Sequence, residues 1–316
     1  MVLAGTRVLA IIGPTAVGKS AVALGLAERL AAEIVSADSM QVYRGMNIGT
    51  AKPSPEERER VRHHLIDVVS ASDDFSVARY VELSRHAIKG ITDRQSLPLV
   101  VGGSGLYVRA ALDQLDFPAG RLESPVRRRF ERLLEQGGAE ELFAELKQRD
   151  PLAADRIHPN NARRMIRALE VIETTGKRFS EFTRDWERHE SVYDLELFGL
   201  TMDRGELVTR IDARIERQLD AGLLAEVGAL VEDGRGPSVT ARQALGYREL
   251  AGYLAGEQSF EEAVALFKQR TRSFARRQLT WFRRDPRVHW MDASGVGTGE
   301  LVDSIEQRLR EKGFLQ

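Results

Sequence analysis

The stretch Gly13-Pro-Thr-Ala-Val-Gly-Lys19-Ser20 follows directly on the apolar run Val8-Leu-Ala-Ile-Ile12 and fills every position of the phosphate-loop pattern G-x-x-x-x-G-K-[ST]. An apolar run that breaks at glycine predicts a buried strand, and the loop after it opens a helix. Across Gly13, Pro14, Thr15, Ala16, Val17 and Gly18, backbone N–H groups can turn inward around phosphate oxygens. Lys19 adds a point charge, and the Ser20 hydroxyl at a helix N-terminus suits Mg²⁺. The loop implies a ligand bearing a di- or triphosphate. It does not say which one, or what becomes of it.

Outward from the loop, Ala21 to Leu30 carries Val22, Leu24, Leu26 and Leu30 as a helical stripe, and Glu33-Ile-Val-Ser36 predicts a second strand. A helix over Val77 to Ile91 precedes a third strand, Leu97-Pro-Leu-Val-Val101, which ends in Gly102-Gly-Ser-Gly105. The first third is therefore a parallel sheet flanked by helices. From about Phe117 the strands stop, and helices are predicted over Pro125 to Gln136, Ala139 to Arg149 and Asn160 to Thr175. Leu195 to Leu200 reads as a strand returning to the sheet, followed by a long helix from Glu206 to Ala221. The last clear element is a helix from Phe260 to Arg284, opened by Ser259 and Glu262 in capping-box spacing and stopped at Asp285-Pro286. The expected fold is α/β: a P-loop NTPase-like parallel sheet flanked by helices, with an all-helical insertion domain. The core would comprise 6–118 and 196–312, and the insertion 119–195.

With 316 residues, 42% of them hydrophobic, the chain can bury a full α/β core. It has no cysteine, which excludes disulfides, thiolate catalysis and cysteine-ligated zinc and fits a reducing cytoplasm, the expected compartment. Met1 to Arg7 leads straight into the first strand, so no signal peptide is expected, and no apolar run reaches membrane-spanning length. The net charge is only −1, which argues against a nonspecific polyanion binder. Its distribution says otherwise. Lys268, Arg270, Arg272, Arg276, Arg277, Arg283, Arg284 and Arg287 face a single acid, Asp285, a local excess of +7 that calls for an anionic partner. Phe260, Val264, Phe267, Phe274 and Phe282 fall near helical spacing and can pack inward, leaving most of these cations outside.

Phosphate-loop hydrolases place an acid at the end of an apolar strand, but the third strand ends Val101-Gly102-Gly103-Ser104. The carboxylate that does stand at a strand's C-terminal end is Asp38, in Ser36-Ala-Asp38-Ser39-Met40-Gln41. Ligands of open α/β sheets bind at that edge. Asp38 is thus a candidate general base or a Mg²⁺ partner through water; as an isolated Asp-Ser pair it would be a turn former or cap. Ser104 offers a hydroxyl on a glycine turn at the same edge, where a glycine turn can also simply tighten packing. His63-His64 invites a metal reading, but adjacent side chains diverge and no third ligand is spaced nearby. Arg210, Arg214 and Arg217 share a helix face opposite Leu207, Ile211, Ile215 and Leu219, a repulsion that a phosphate ligand would relieve or Asp212 and Glu216 would temper. Arg163, Arg164 and Arg167, and the run Arg127 to Arg129, carry the same two readings, a solvated face or an anion site, and their place on the helical insertion suggests a clamp on nucleic acid.

These motifs coincide in order with those of one family. The chain resembles bacterial tRNA dimethylallyltransferases, or tRNA isopentenyltransferases, over nearly its full length. The segments that carry the resemblance are Gly13 to Ser20, Asp38 to Tyr43, Asn47 to Pro53, Val101 to Tyr107, Ile157 to Asn160, Arg167 to Glu170, Gly246 to Arg248 and Arg276 to Trp281. The resemblance implies transfer of a dimethylallyl group from dimethylallyl diphosphate to N6 of the adenosine 3′ to the anticodon, with Mg²⁺ held at Ser20. The loop would then hold a diphosphate that leaves whole. Asp38 matches the family's general base, while Lys19, Ser20 and Arg210 would neutralise the leaving group and Ser104 would hydrogen-bond substrate. Contacts to the tRNA anticodon stem-loop are implied for Asp38, Ser39, Met40, Gln41, Ser104, Val126, Ala162, Arg163, Arg164, Met165, Ile166, Gln243, Ala244, Leu245, Gly246, Tyr247 and Arg248. Ser104 departs from the threonine usual there and keeps its hydroxyl. A monomer with no membrane partner is expected. A P-loop kinase of a nucleoside or small metabolite shares the loop and the strand-end Asp, and a non-catalytic RNA-binding protein shares the basic helix.

Overall fold

A computed structural model describes residues 5–118, 124–183, 186 and 188–315. Strand β1 (Arg7–Ile12) is the apolar run before the phosphate loop, and Val8 to Ile12 are all buried. A strand covered on both faces needs a continuous apolar run rather than an alternating one. Helix α1 (Lys19–Arg29) and strand β2 (Ala32–Ser36) complete the first βαβ unit. Then follow β3 (Tyr43–Arg44), α2 (Pro55–Arg60), β4 (His63–His64), β5 (Val69–Ser70), α3 (Val77–Asp93), β6 (Leu97–Gly102) and α4 (Gly105–Leu112). All neighbours in the six-stranded sheet pair parallel, in the order β4-β2-β6-β1 and then β7 (Asp194–Thr201) and β8 (His289–Asp292); β3 and β5 form a separate parallel pair. Strand β1 lies inside the sheet between β6 and β7. Ile12 pairs with Gly102 and Ser36 with Val101, so β1, β2 and β6 end along one edge.

The chain divides into two compact units, Met1–Asp113 with Ser191–Gln316, and Gln114–Glu190. The expected domain border at 119 and the leader reading at 1–4 lie outside the described residues. The second unit holds α5 (Pro125–Arg149), α6 (Pro151–Arg156), α7 (Ala162–Thr175) and α8 (Phe179–Phe182). Helix α5 is broken at Gly138, whose φ of 76° is left-handed, which separates its two apolar stripes. Phe130, Leu142, Leu146, Met165 and Leu169 are fully buried in a core of this unit's own.

The first unit is completed by α9 (Arg204–Asp220), α10 (Leu223–Glu232), α11 (Tyr247–Leu254), α12 (Phe260–Phe282) and α13 (Thr298–Glu311). The Ser259 cap is as expected: Ser259 Oγ accepts from the Glu262 N–H and Glu262 Oε2 accepts from the Ser259 N–H. Two elements lie beyond the last one legible in the sequence. Strand β8 is short and only half-buried at the sheet edge, and α13 reveals itself through Leu301, Val302, Ile305 and Leu309, which pack inward where Val302 closes on Gly25 of α1.

Candidate active site

The phosphate loop bridges β1 and α1. Gly13 has φ 147°, and a Cβ there would lie 2.6 Å from the Leu200 carbonyl of β7; Gly18, at φ 104°, caps α1. No side chain fits the first position and no L residue takes the second without strain. Lys19 Nζ donates to the Pro14 carbonyl at 2.7 Å. Burial, reinforced by the nearby Arg214 guanidinium and opposed by Asp38, holds the Lys19 ammonium down to about 7. A diphosphate placed beside it would restore the charge.

At the end of β2, Asp38 Oδ1 accepts the Met40 N–H at 2.8 Å, so the turn-forming reading of this residue is correct. Its Oδ2 carries no hydrogen bond among the described residues, and the side chain lines two adjoining cavities. At the end of β6, a Cβ on Gly102 would lie 2.2 Å from the Ala37 carbonyl, so the strand that flanks β1 closes in glycine where a hydrolase has its acid. The Ser104 hydroxyl accepts from the Ser39 N–H (3.3 Å) and reaches the Ser39 hydroxyl (3.4 Å).

The first cavity, of about 110 Å³, is lined by Lys19 and Ser20. The second, of about 250 Å³, is lined by Ser39, Met40 and Ser104 with Ile211, Ile215, Phe267 and Gln243 to Leu245. Thr15, Asp38, Thr50, Arg214 and Phe274 line both. A carboxylate, a guanidinium and an aromatic ring therefore stand where a polar, phosphate-loop chamber meets a larger, more apolar one.

Three clamps hold this geometry; sequence reasoning gave no role to Gln278 or Glu226, and gave Gln41 only an implied contact with tRNA. Buried Gln278 on α12 accepts from the Thr15 N–H (2.9 Å) and donates to the Gly103 carbonyl (2.8 Å), tying the phosphate loop to the end of β6. A Cβ on Gly103 would collide with Gln278, and one on Gly105 with the Trp281 ring, both at under 2.5 Å. The Gly102 to Gly105 turn and the Arg276 to Trp281 segment are thus two halves of one contact. Glu226 accepts from the Asn47, Ile48 and Gly49 N–H groups and from the Tyr247 hydroxyl, joining the 47–53 loop to α11. Gln41 Nε2 donates to the Thr50 and Ala51 carbonyls, which carries that loop to the Asp38 turn.

The remaining sequence candidates separate. Arg210 is paired with Glu206 at 2.9 Å and lines neither cavity; Arg214, one turn on, lines both. Thr15, Ala16, Lys19, Ser20, Asp38, Ser39, Met40, Gln41, Ser104, Gln243, Ala244 and Leu245 converge on the cavities. Gly246, at φ 87°, would drive a Cβ into the Phe267 ring, and Arg248 is exposed beside it in a groove with Tyr247. In the helical unit, Met165 and Ile166 are buried in its core and Val126 and Ala162 pack against it, so the exposed side chains of that segment are Arg163 and Arg164. Arg127, Arg129 and Arg167 are paired with Glu131, Glu173 and Glu170. His63 Nδ1 meets the Val61 carbonyl and His64 Nε2 meets Glu33, and no metal-binding group of three or more His, Asp or Glu occurs among the described residues.

The local excess of +7 is also corrected. Lys268 pairs with Glu216, Arg270 with Glu249, Arg272 with Asp212, and Arg287 with Asp113 and Asp285. Most of these acids belong to other elements, where a count along the segment does not reach them. Arg276, Arg277, Arg283 and Arg284 remain exposed, with no acidic partner among the described residues, and Arg277 lies 5.9 Å from the Phe274 ring centre.

A parallel sheet, a complete phosphate loop and a single carboxylate at the junction of two cavities define a phosphate-loop α/β protein with a ligand site at the strand ends. Residues 41–285 match the profile of the IPP transferase family. The chain is 48% identical over 295 residues to a tRNA dimethylallyltransferase of Streptomyces coelicolor, covering 93% of each, and 46% identical to that of Natranaerobius thermophilus, covering 94% of this chain and 90% of the relative. Among solved structures, the tRNA isopentenylpyrophosphate transferase of Bacillus halodurans superposes with a TM-score of 0.71 at 41% identity, covering 97% of this chain and 98% of its own. A eukaryotic dimethylallyltransferase acting on tRNA gives 0.80 at 27% identity, covering 98% of this chain and 79% of its own. The chain belongs to the IPP transferase family.

Proposed function

We propose that the protein transfers a dimethylallyl group from dimethylallyl diphosphate to N6 of the adenosine immediately 3′ of the anticodon in tRNA, and releases diphosphate. The observation that carries this reading is the free Asp38 carboxylate oxygen at the junction of the two cavities, beside a phosphate loop flanked by a strand that ends in glycine. Diphosphate would lie with Lys19 and Ser20, and the target base would enter the second cavity, extruded from its stack. An adenine amine is a weak nucleophile, so positioning and stabilisation of the leaving group dominate the rate. Lys19 and Arg214 supply positive charge at the diphosphate, and Asp38 takes the N6 proton as the new carbon–nitrogen bond forms.

The Ser20 hydroxyl lines the phosphate-loop cavity and would hold Mg²⁺ there, with the Asp38 carboxylate of the same cavity reaching it through water, an all-oxygen set that fits the ion. Bound there, the ion would neutralise charge on the departing diphosphate. The protein would act as a cytoplasmic monomer; none of its described helices is long and apolar enough to cross a membrane. Incubation of unmodified tRNA with dimethylallyl diphosphate labelled in the alkyl group, and in parallel with γ-labelled ATP, tests the reading. Label in RNA from the isoprenoid alone is expected; label from ATP, or from neither, would overturn it.

A further inference from the structure

Thr271 lies on α12 between Phe267 and Phe274, at helical spacings of four and three, and all three side chains line the second cavity. Thr271 is 8% exposed, and its Oγ1 has no hydrogen-bond partner. Elsewhere in this protein helical threonines satisfy themselves: Thr92, Thr174, Thr209 and Thr280 each donate to the carbonyl four residues back. Thr271 does not. A buried hydroxyl left unpaired is costly, which makes this one a group held ready for a ligand.

The chemistry of the cavities selects that ligand. The first cavity contains the Lys19 and Ser20 side chains and does not include Thr271, so the diphosphate lies elsewhere. The transferred alkyl group has no atom that can accept a hydrogen bond. The acceptor base does, and its ring nitrogens are acceptors that a hydroxyl can serve as donor. Phe267 and Phe274 flank Thr271 along α12 and line the same cavity, an aromatic surface against which a planar heterocycle can pack while its edge is read.

Resting on the function proposed above, we infer that Thr271 recognises the target base: its hydroxyl donates to one ring nitrogen of the adenine and so turns N6 toward Asp38. Removal of that nitrogen from the substrate, or of the hydroxyl from the protein, breaks the same bond. The test is single-turnover transfer to anticodon stem-loop RNA bearing adenine, 1-deaza-, 3-deaza- or 7-deazaadenine at the target position. It compares wild type, Thr271→Val and Thr271→Ser.

Thr271→Val should lose about 10-fold in kcat/KM for RNA, with the KM for dimethylallyl diphosphate unchanged, and Thr271→Ser should recover most of the loss. One deaza analogue should cost wild type a similar factor and cost Thr271→Val nothing further. Equal activity of Thr271→Val and wild type, an equal penalty of every analogue in both proteins, or an effect confined to the donor KM would each overturn the inference. Failure of the function itself would look different: wild type would modify none of the RNAs.

Discussion

In Asp38 one carboxylate oxygen holds a turn, the other has no hydrogen bond among the described residues, and the side chain lines both cavities. Asparagine keeps the turn-holding carbonyl and removes the base. Asp38→Asn should therefore fold with an unchanged melting temperature and bind tRNA within a few-fold, while turnover falls by about 10²–10⁴. A wild-type single-turnover rate in that variant would remove Asp38 from the chemistry. Arg210 and Arg214 give a second comparison. Arg214→Ala should lower turnover by about 10²–10³, the usual loss of a donor to developing negative charge, whereas Arg210→Ala should stay within about 3-fold because an exposed ion pair contributes little. Steady-state kinetics of both variants decide the matter. The sequence placed the arginines on one face but could not choose between them, since helical periodicity fixes the face while the crossing of α9 over the core fixes which turn meets the phosphate loop.

Among the elements, α12 is the one that assembles the site. Gln278→Ala would leave the Thr15 N–H and the Gly103 carbonyl unpaired, at about 1–3 kcal/mol. Thermal denaturation should show the destabilisation, accompanied by a higher KM for dimethylallyl diphosphate; an unchanged KM would mean that the latch does not shape the loop. The 43–53 loop depends on Lys52, whose side chain is 2% exposed and donates to the Tyr43 carbonyl, Asn47 Oδ1 and Asp67. Burial pushes the Asp67 carboxyl up, but hydrogen bonds from Lys52 and Arg58 outweigh it and leave it below the ordinary value of 3.8. A group whose folded value is depressed stabilises above its unfolded value and loses that contribution as pH falls through the folded one. Asp67→Asn should thus melt about 2–4 °C lower near neutral pH, with the gap to wild type closing in acid. A gap independent of pH would contradict the assignment. The continuous apolar run of β1 and the long periodic helices α3 and α12 were legible because burial is written into their own apolar residues. The short strands β3, β4 and β5 and the clamps were not, because their partners come from distant segments, as when Glu226 binds the Asn47 to Gly49 amides.

For the whole molecule, net charge and local charge both mislead until partners are counted. Within 268–287, pairing of Lys268, Arg270, Arg272 and Arg287 with acids leaves Arg276, Arg277, Arg283 and Arg284 exposed with no acidic partner among the described residues. Binding of tRNA should weaken steeply with salt, and Arg276→Glu or Arg284→Glu should reduce both affinity and the slope, by about 0.7 for each phosphate no longer neutralised. Arg272→Ala should leave the slope unchanged; filter binding across a salt series separates the two classes. At the centre of the proposed function, the phosphate loop serves carbon transfer, with diphosphate as the leaving group. The most direct test is mass analysis of nucleosides from unmodified tRNA after reaction with dimethylallyl diphosphate. One adenosine, 3′ to the anticodon, should carry a dimethylallyl group on N6 in place of a hydrogen. Unaltered tRNA, or a nucleoside that has gained phosphate, would contradict it.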